Sequence, residues 1–472
     1  MKKNNFYIKV FLCIVCLLPA YTFAAIKLPA IFGDQMVLQQ QTEAALWGLA
    51  SPSSMVKVKT SWDNGGYSVR ADSQGNWKVK VKTPIAGGPY SILISDGTPL
   101  ELKDVLIGEV WVCSGQSNMV MLMKGYFNQP VKGSNRDIAT SANKTIRLFT
   151  ANNNPYFEPQ KDFTGNWLVC EPENVANFSA TAYYFGRMLQ EALDVPVGLI
   201  CASWGGTRIE PWMSSDRIKK FEFVKFPTED EKKNINPHFP GVLFNALINP
   251  MIGYAIKGVI WYQGESNRAE PARYLQLMPE MVADWRERWG IGEFPFFYVQ
   301  IAPFDYGANG SNSAFFREAQ LKAASIIPNS GMACLMDVGE KDCVHPANKQ
   351  VGGERLAYLA LAKTYQKQGF AYSGPALKKL NVEGTLVYLT FDHAANGLTT
   401  YGKKLENFQL SGTNRRFYPA EGFITDKGIL LYSRWVGNPV AVRYAFDDFV
   451  VGELYNAEGL PAPSFRSDDW EK

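Results

Sequence analysis

The stretch Gly115-Gln116-Ser117-Asn118 puts a serine on a short turn directly after the apolar run Val110-Trp111-Val112-Cys113. A serine in that position can attack a carbonyl carbon, but its hydroxyl is a weak nucleophile until a base takes the proton. Only three histidines can serve: His238, His345 and His393. His238 sits between Pro237 and Pro240 and reads as a loop residue. His393 belongs to a distal strand-rich region. His345 lies in a loop after the apolar run Met332–Met336, with Asp342 three residues before it. That spacing can bring a carboxylate to the imidazole, fixing its tautomer and stabilising its charged form. Elimination therefore makes His345 the base if the chemistry is that of a serine hydrolase.

Two further loops supply groups that could face a developing oxyanion. Val197–Ala202 runs into Gly205-Gly206-Thr207, where paired glycines allow close backbone approach and present N–H groups. Gly258–Tyr262 runs into Gln263-Gly264-Glu265-Ser266-Asn267, which offers side-chain amides that donate without adding charge. Each motif taken singly is common. Four loops, each after an apolar strand-like run, that supply a nucleophile, N–H donors, an amide donor and an acid–base pair in that order form a coherent acyl-transfer set.

The elements that must position these loops follow from the texture of the chain. Residues 26–105 alternate apolar and polar, as in Val56-Lys57-Val58-Lys59 and Trp77-Lys78-Val79-Lys80-Val81, with turn clusters at Asp63–Gly66 and Ala86–Pro89. This pattern predicts a small antiparallel β-sandwich. Residues 106–375 change period. Continuous apolar runs suit parallel strands buried on both faces. Between them, helices are expected from a Ser179 cap to Leu193, from Ala272 to Trp289 and from Gly353 to Tyr365. Such alternation argues an α/β, doubly wound catalytic domain, in which ligands bind beyond the carboxyl ends of the strands. Residues 376–472 return to strands, clearest at Leu386–Phe391, Gly428–Tyr432 and Ala441–Tyr444, and predict a C-terminal β-rich domain. The expected fold is thus a doubly wound catalytic domain with flanking β-sandwich regions.

Residues 1–25 read as a signal peptide. Lys2, Lys3 and Lys9 precede an apolar run from Val10 to Leu18, and Thr22-Phe23-Ala24 gives a cut after Ala24 or Ala25. The run is short for a membrane span, and no other stretch of about 18 apolar residues occurs. Removal of three lysines and no acids takes the formal charge from +3 to 0, which gives no reason to expect a nucleic-acid partner. Cys13 and Cys16 also leave, and Cys113, Cys170, Cys201, Cys334 and Cys343 remain. That odd number leaves at least one thiol free unless chains cross-link, none of the spacings is a zinc pattern, and buried free cysteine is expected. The exported protein is expected in the periplasm, or secreted, with no integral membrane segment after cleavage.

The four loop blocks together resemble the SGNH hydrolase superfamily, and more closely the sialate O-acetylesterases. The likeness begins at Phe32–Gln39, takes in Gly108–Met119, Gly205-Gly206-Thr207, Trp261–Ser266 and His345-Pro346, and ends near Val442–Ala445 and Leu454-Tyr455-Asn456. It implies a flavodoxin-like fold and hydrolysis of O-acetyl esters on sialic acid or another acetylated glycan, with no metal or organic cofactor. Carried over by position, Ser117 is the nucleophile and His345 the base. The oxyanion donors are the Ser117 N–H, an N–H from Gly205 or Gly206, and the Gln263 side chain, with Asn267 as a lesser candidate. Asp342 is the expected acid; Asp337, Glu340 and a site led by a Ser–His pair alone stand as alternatives. Arg208, Glu265 and Asn267 are candidates for sugar contacts, as are Glu210 and Trp212. For Arg208 an ion pair with Glu210 or Glu265 that braces the loop is the favoured reading, because one arginine beside two acids needs no ligand.

Overall fold

The computed structural model describes residues 26–63, 65–307 and 312–470, so the expected signal peptide lies outside the described residues. The central sheet uses seven strands: β1 (Pro99–Gly115), β2 (Asn143–Thr150), β3 (Trp167–Cys170), β4 (Val197–Ser203), β5 (Gly258–Tyr262), β6 (Phe296–Val299) and β7 (Ser330–Ala333). Their order is β7-β6-β5-β1-β4-β2-β3, and all pair in parallel except β3, which is antiparallel to β2. The chain enters at the centre, builds one side through β2, β3 and β4, then crosses to build the other through β5, β6 and β7. The switch point falls at the carboxyl end of β1, between β4 and β5, where doubly wound sheets bind ligands.

The apolar runs are continuous because alternate residues feed two cores. Val110, Val112, Ile200, Ala202, Val259, Trp261, Phe296 and Tyr298 face one layer. Trp111, Cys113, Leu199, Cys201, Ile260, Tyr262, Phe297 and Val299 face the other. Full burial of each large side chain contributes about 1.5–3 kcal/mol. Helices α1 (Ala180–Leu193) and α4 (Lys349–Lys363) cover the second face, while α2 (Pro271–Trp289) covers the first, with α3 (Ala314–Ile326) packed beside it. The Ser179 cap holds as expected, its hydroxyl accepting from Ala182 N at 3.2 Å. Helix α4 starts four residues before the expected Gly353, capped by Asn348. Gly352-Gly353 reads locally as a break, yet a Cβ at Gly353 would lie 2.7 Å from Thr181 O. The glycine lets two helices touch rather than ending one.

The expected domain boundary at 105/106 falls inside β1, a strand of 17 residues. Its first half pairs with Gly87–Ser95, and its middle pairs with Val37–Gln39. Its second half lies between β4 and β5. The N-terminal strands are thus continuous with the central sheet. At the other end, Cys334 and Met336 share a core with Leu389, Leu431, Tyr444 and Phe465. Arg317 of α3 is wholly buried and donates to Asp447 O and, at 3.2 Å, to Asp448 O. All five cysteines in the described residues are free: Cys113, Cys170, Cys201 and Cys334 are buried and Cys343 half-buried. Among the described residues no helix is long and apolar enough to cross a membrane.

Candidate active site

Ser117 begins a four-residue helical turn, Ser117–Val120, immediately beyond β1. The turn is tight because Gly115 adopts φ 138°, and a Cβ there would lie 2.1 Å from Tyr262 O. Gln116 locks the turn to the neighbouring loop. Its N–H donates to Tyr262 O at 2.9 Å, and its side-chain oxygen accepts from Gly264 N at 3.3 Å and Ser266 N at 3.4 Å. The serine turn is therefore fixed by backbone at the ends of two adjacent strands, β1 and β5, and in the loop after β5.

His345 reaches it from the far edge of the sheet, in the irregular segment between β7 and α4. Its Nε2 lies 2.8 Å from Ser117 Oγ. The other ring nitrogen, Nδ1, lies 2.7 Å from Oε1 of Gln129. None of the three expected acids occupies that position. Asp342 is exposed and turned to solvent. Asp337 is held bidentately by Arg355 at 2.7 Å. Glu340 accepts from Ala347 N at 2.7 Å. The three-residue spacing suggested a local partner for His345, but the loop is pinned at Glu340 and turns the Asp342 side chain outward. The Ser–His pair is present; the acid is not.

Three buried residues hold the pair from below. Asn118 Nδ2 donates to Glu265 Oε1 at 2.6 Å and to Val344 O at 3.1 Å, tying the nucleophile turn to the residue before the base. Lys349 Nζ donates to Asn118 Oδ1. Burial pushes the Lys349 ammonium down to about 7, against the pull of Glu265. Burial likewise pushes the Glu265 carboxyl up. His345 is held down at about 4, first by burial and then by the Lys349 charge. Its imidazole is therefore neutral, the state a base requires, across the ordinary pH range. Asn118 sits in the serine motif itself, whereas Lys349 and Gln129 belong to no motif of the sequence. A lysine one helical turn after the histidine was the available signal for the former.

The expected oxyanion donors divide. A Cβ at Gly205 would lie 3.6 Å from Ser117 Cβ, so this glycine stands beside the nucleophile. The N–H groups of Ser117 and Gly205 donate to no other group among the described residues. Gln263, by contrast, is wholly buried and spends both amide protons inward, on Thr207 O at 3.1 Å and Asn267 Oδ1 at 2.8 Å. Asn267 is buried too, accepting from Ile209 N at 2.9 Å and donating to Glu210 Oε2 at 3.1 Å. Gln263 has no proton left for an oxyanion, and Asn267 is tied to the same loop through both ends of its amide. They brace the glycine loop instead.

The expected sugar contacts are also occupied. Arg208 is paired with Glu210 at 2.9 Å and with Glu270. The favoured ion-pair reading is right in kind, with Glu270 rather than Glu265 as the second acid. Glu265 and Asn267 are buried and belong to the scaffold. Trp212 is buried, its indole N–H on Thr207 Oγ1 at 3.1 Å. Gly205, beside the serine, is exposed, as is the next residue, Gly206.

Residues 107–361 match a family described as carbohydrate esterase, sialic acid-specific acetylesterase. The chain is 30% identical to sialate O-acetylesterase of Mus musculus, covering 92% of each chain. It is 29% identical to sialate O-acetylesterase of Homo sapiens, covering 93% of this chain and 92% of that one. Among solved structures, a carbohydrate acetylesterase from Xanthomonas citri superposes with a TM-score of 0.86 at 32% identity, covering 94% of this chain and 100% of that one.

Proposed function

We propose, for a chain that belongs to the sialic acid-specific acetylesterase family of carbohydrate esterases, that it removes O-acetyl groups from sialic acid with Ser117 as nucleophile. It is a carboxylic ester hydrolase acting on acetylated sugars. The observation that carries the assignment of residues is the 2.8 Å contact of Ser117 Oγ with a half-buried, neutral His345.

The reaction runs in two halves. Ser117 Oγ attacks the acetyl carbonyl carbon as its proton passes to His345 Nε2. The carbonyl π pair moves onto oxygen, where the Ser117 and Gly205 N–H groups receive the negative charge. The intermediate collapses, the C–O bond to the sugar breaks, and the sugar oxygen takes the proton from Nε2. In the second half, water attacks the acetyl-serine carbonyl and gives a proton to Nε2. Collapse frees acetic acid, which ionises in water, and the Nε2 proton returns to Ser117 Oγ. Every proton is accounted for by His345 and the substrates, so the cycle draws on no cofactor. Gly206 completes the loop that lets Gly205 approach. The basic, apolar leader and its small-residue cut site support export, with the periplasm as the compartment.

A second reading, a neutral acetylated glycan such as acetylxylan, is favoured by one observation. Arg208, a candidate for sugar contacts and the one cation that could meet a sugar carboxylate among them, is already bound to two acids. Acetate release from a panel of O-acetylated sialic acids and acetylated xylans separates the two. Release from the sialic acids alone is expected; release from xylan alone selects the second reading, and release from neither overturns both.

A further inference from the structure

We infer that Gln129 is the positioning residue of the base, so that the site is a Ser–His–Gln arrangement with a neutral third member. The inference rests on the hydrolase reading above and concerns how that same pair is held. A histidine base needs its Nδ1 proton fixed, or the wrong tautomer presents a proton to the serine instead of a lone pair. The group at Nδ1 here is the Gln129 side-chain oxygen at 2.7 Å. With that oxygen accepting, Nδ1 carries the proton and Nε2 keeps its lone pair for Ser117.

Gln129 is placed for this by its own loop. Tyr126 N donates to Gln129 O at 2.9 Å and Gln129 N returns to Tyr126 O at 3.0 Å, closing a tight bridge. Gly125, at φ 83°, permits it, since a Cβ there would lie 2.6 Å from Gln129 O. The Tyr126 ring meets the His345 ring edge-on at 5.6 Å, and its hydroxyl donates to Ser117 O at 3.3 Å. Lys132 N donates to Ala347 O at 2.8 Å, so the loop is tied to the segment that bears the base. One loop thus touches both members of the pair.

An amide oxygen fixes the tautomer as a carboxylate would, but adds no negative charge to favour the imidazolium. The charged and titratable groups around His345 are Lys349 behind it, Tyr126 beside it, Cys343 in its own loop, and Glu265 and Glu340, which act on Lys349. None places a carboxylate on the ring. The base therefore stays unprotonated into mildly acid solution.

The test uses the full-length enzyme with 15N-labelled histidine, whose three histidines give a resolvable spectrum, together with kinetics on p-nitrophenyl acetate. Wild type is expected to show His345 as the Nδ1–H tautomer. Gln129→Ala is expected to lose that preference and to lower kcat on the order of 100-fold with KM within about threefold. Gln129→Glu, which keeps the shape, restores the tautomer and moves the acid limb of kcat/KM up by about one unit, because the added charge favours the imidazolium. A wild-type spectrum dominated by Nε2–H, an acid limb unmoved in Gln129→Glu, or an Asp342→Asn loss as large as that of Gln129→Ala would each overturn the assignment. The tautomer is read without substrate, so a chain that cleaves no ester would sink the hydrolase reading while still answering for Gln129.

Discussion

Ser117 and His345 are held in opposite ways. Ser117 stands at the end of the central strand, and the twelve residues before it, Val105–Gln116, are all buried. Its turn is fixed by backbone: Gly115 against Tyr262, and Gln116 across to Gly264. His345 stands twelve residues beyond an edge strand, Ser330–Ala333, in a segment with no regular structure. It is fixed by side chains from distant segments, Gln129 and Asn118, and by Glu340 within its own loop. One half of a Ser–His contact can thus be written in a short motif while the other is assembled from distant parts.

The largest effect tests whether the two halves act as a unit. Ser117→Ala and His345→Ala are each expected to lower kcat by about 10⁴-fold or more on an acetyl ester reporter, with the far-UV circular dichroism retained. The double variant is expected to lose no more than either, and additive losses would separate the two halves. Next comes the backbone side of the contrast. Gly115→Ala forces a Cβ to 2.1 Å from Tyr262 O at a left-handed φ, and the expected cost is on the order of 3 kcal/mol or more in urea unfolding. If that variant unfolds at the wild-type midpoint, the turn is not held as described.

A smaller effect is expected at Gln263, where motif and geometry disagree. An oxyanion donor costs about 10²–10³ in kcat when removed. Gln263 spends its protons on Thr207 and Asn267, so Gln263→Ala should cost about 1–3 kcal/mol of stability instead, with kcat within about tenfold. A hundredfold loss in kcat at unchanged stability would return Gln263 to the oxyanion site. The smallest effect tests the side-chain scaffold under the base. Lys349 holds the His345 imidazole down, though less than burial does. Activity needs the neutral ring and falls as pH drops through its pKa. Lys349→Met should therefore move the acid limb of kcat/KM upward, by less than a full unit. A limb that moves down or stays put would remove Lys349 from the electrostatics of the base.

Several features were legible because they are local. The alternation of buried runs with helices reflects burial on both faces, and burial selects residue type directly. The boundary expected at 105/106 shows the limit of that signal. Strand β1 passes from a half-exposed stretch, Pro99–Asp104, to a wholly buried one, Val105–Gly115. The composition registers the change in burial, but not that the strand is unbroken. Glycines mislead in the same way: the helix expected to begin at Gly353 begins at Lys349, and Gly353 is instead a point of contact with Thr181.

The side chains of the site mark the same divide. The Asp342 spacing and the amides of Gln263 and Asn267 are chemically suited to the roles expected of them. Suitability does not say where a side chain points. Gln129 lies 216 residues from His345 in the chain, and no periodicity links the two. What the sequence carried was the serine turn, the histidine that meets it and the order of the loops at the sheet's switch point, because each depends on a short stretch and its burial. The tertiary structure alone decided which group holds Nδ1, which amides keep a free proton and which acids are spent on arginines. Those outcomes depend on which distant segments meet, and on hydrogen bonds satisfied only once they do.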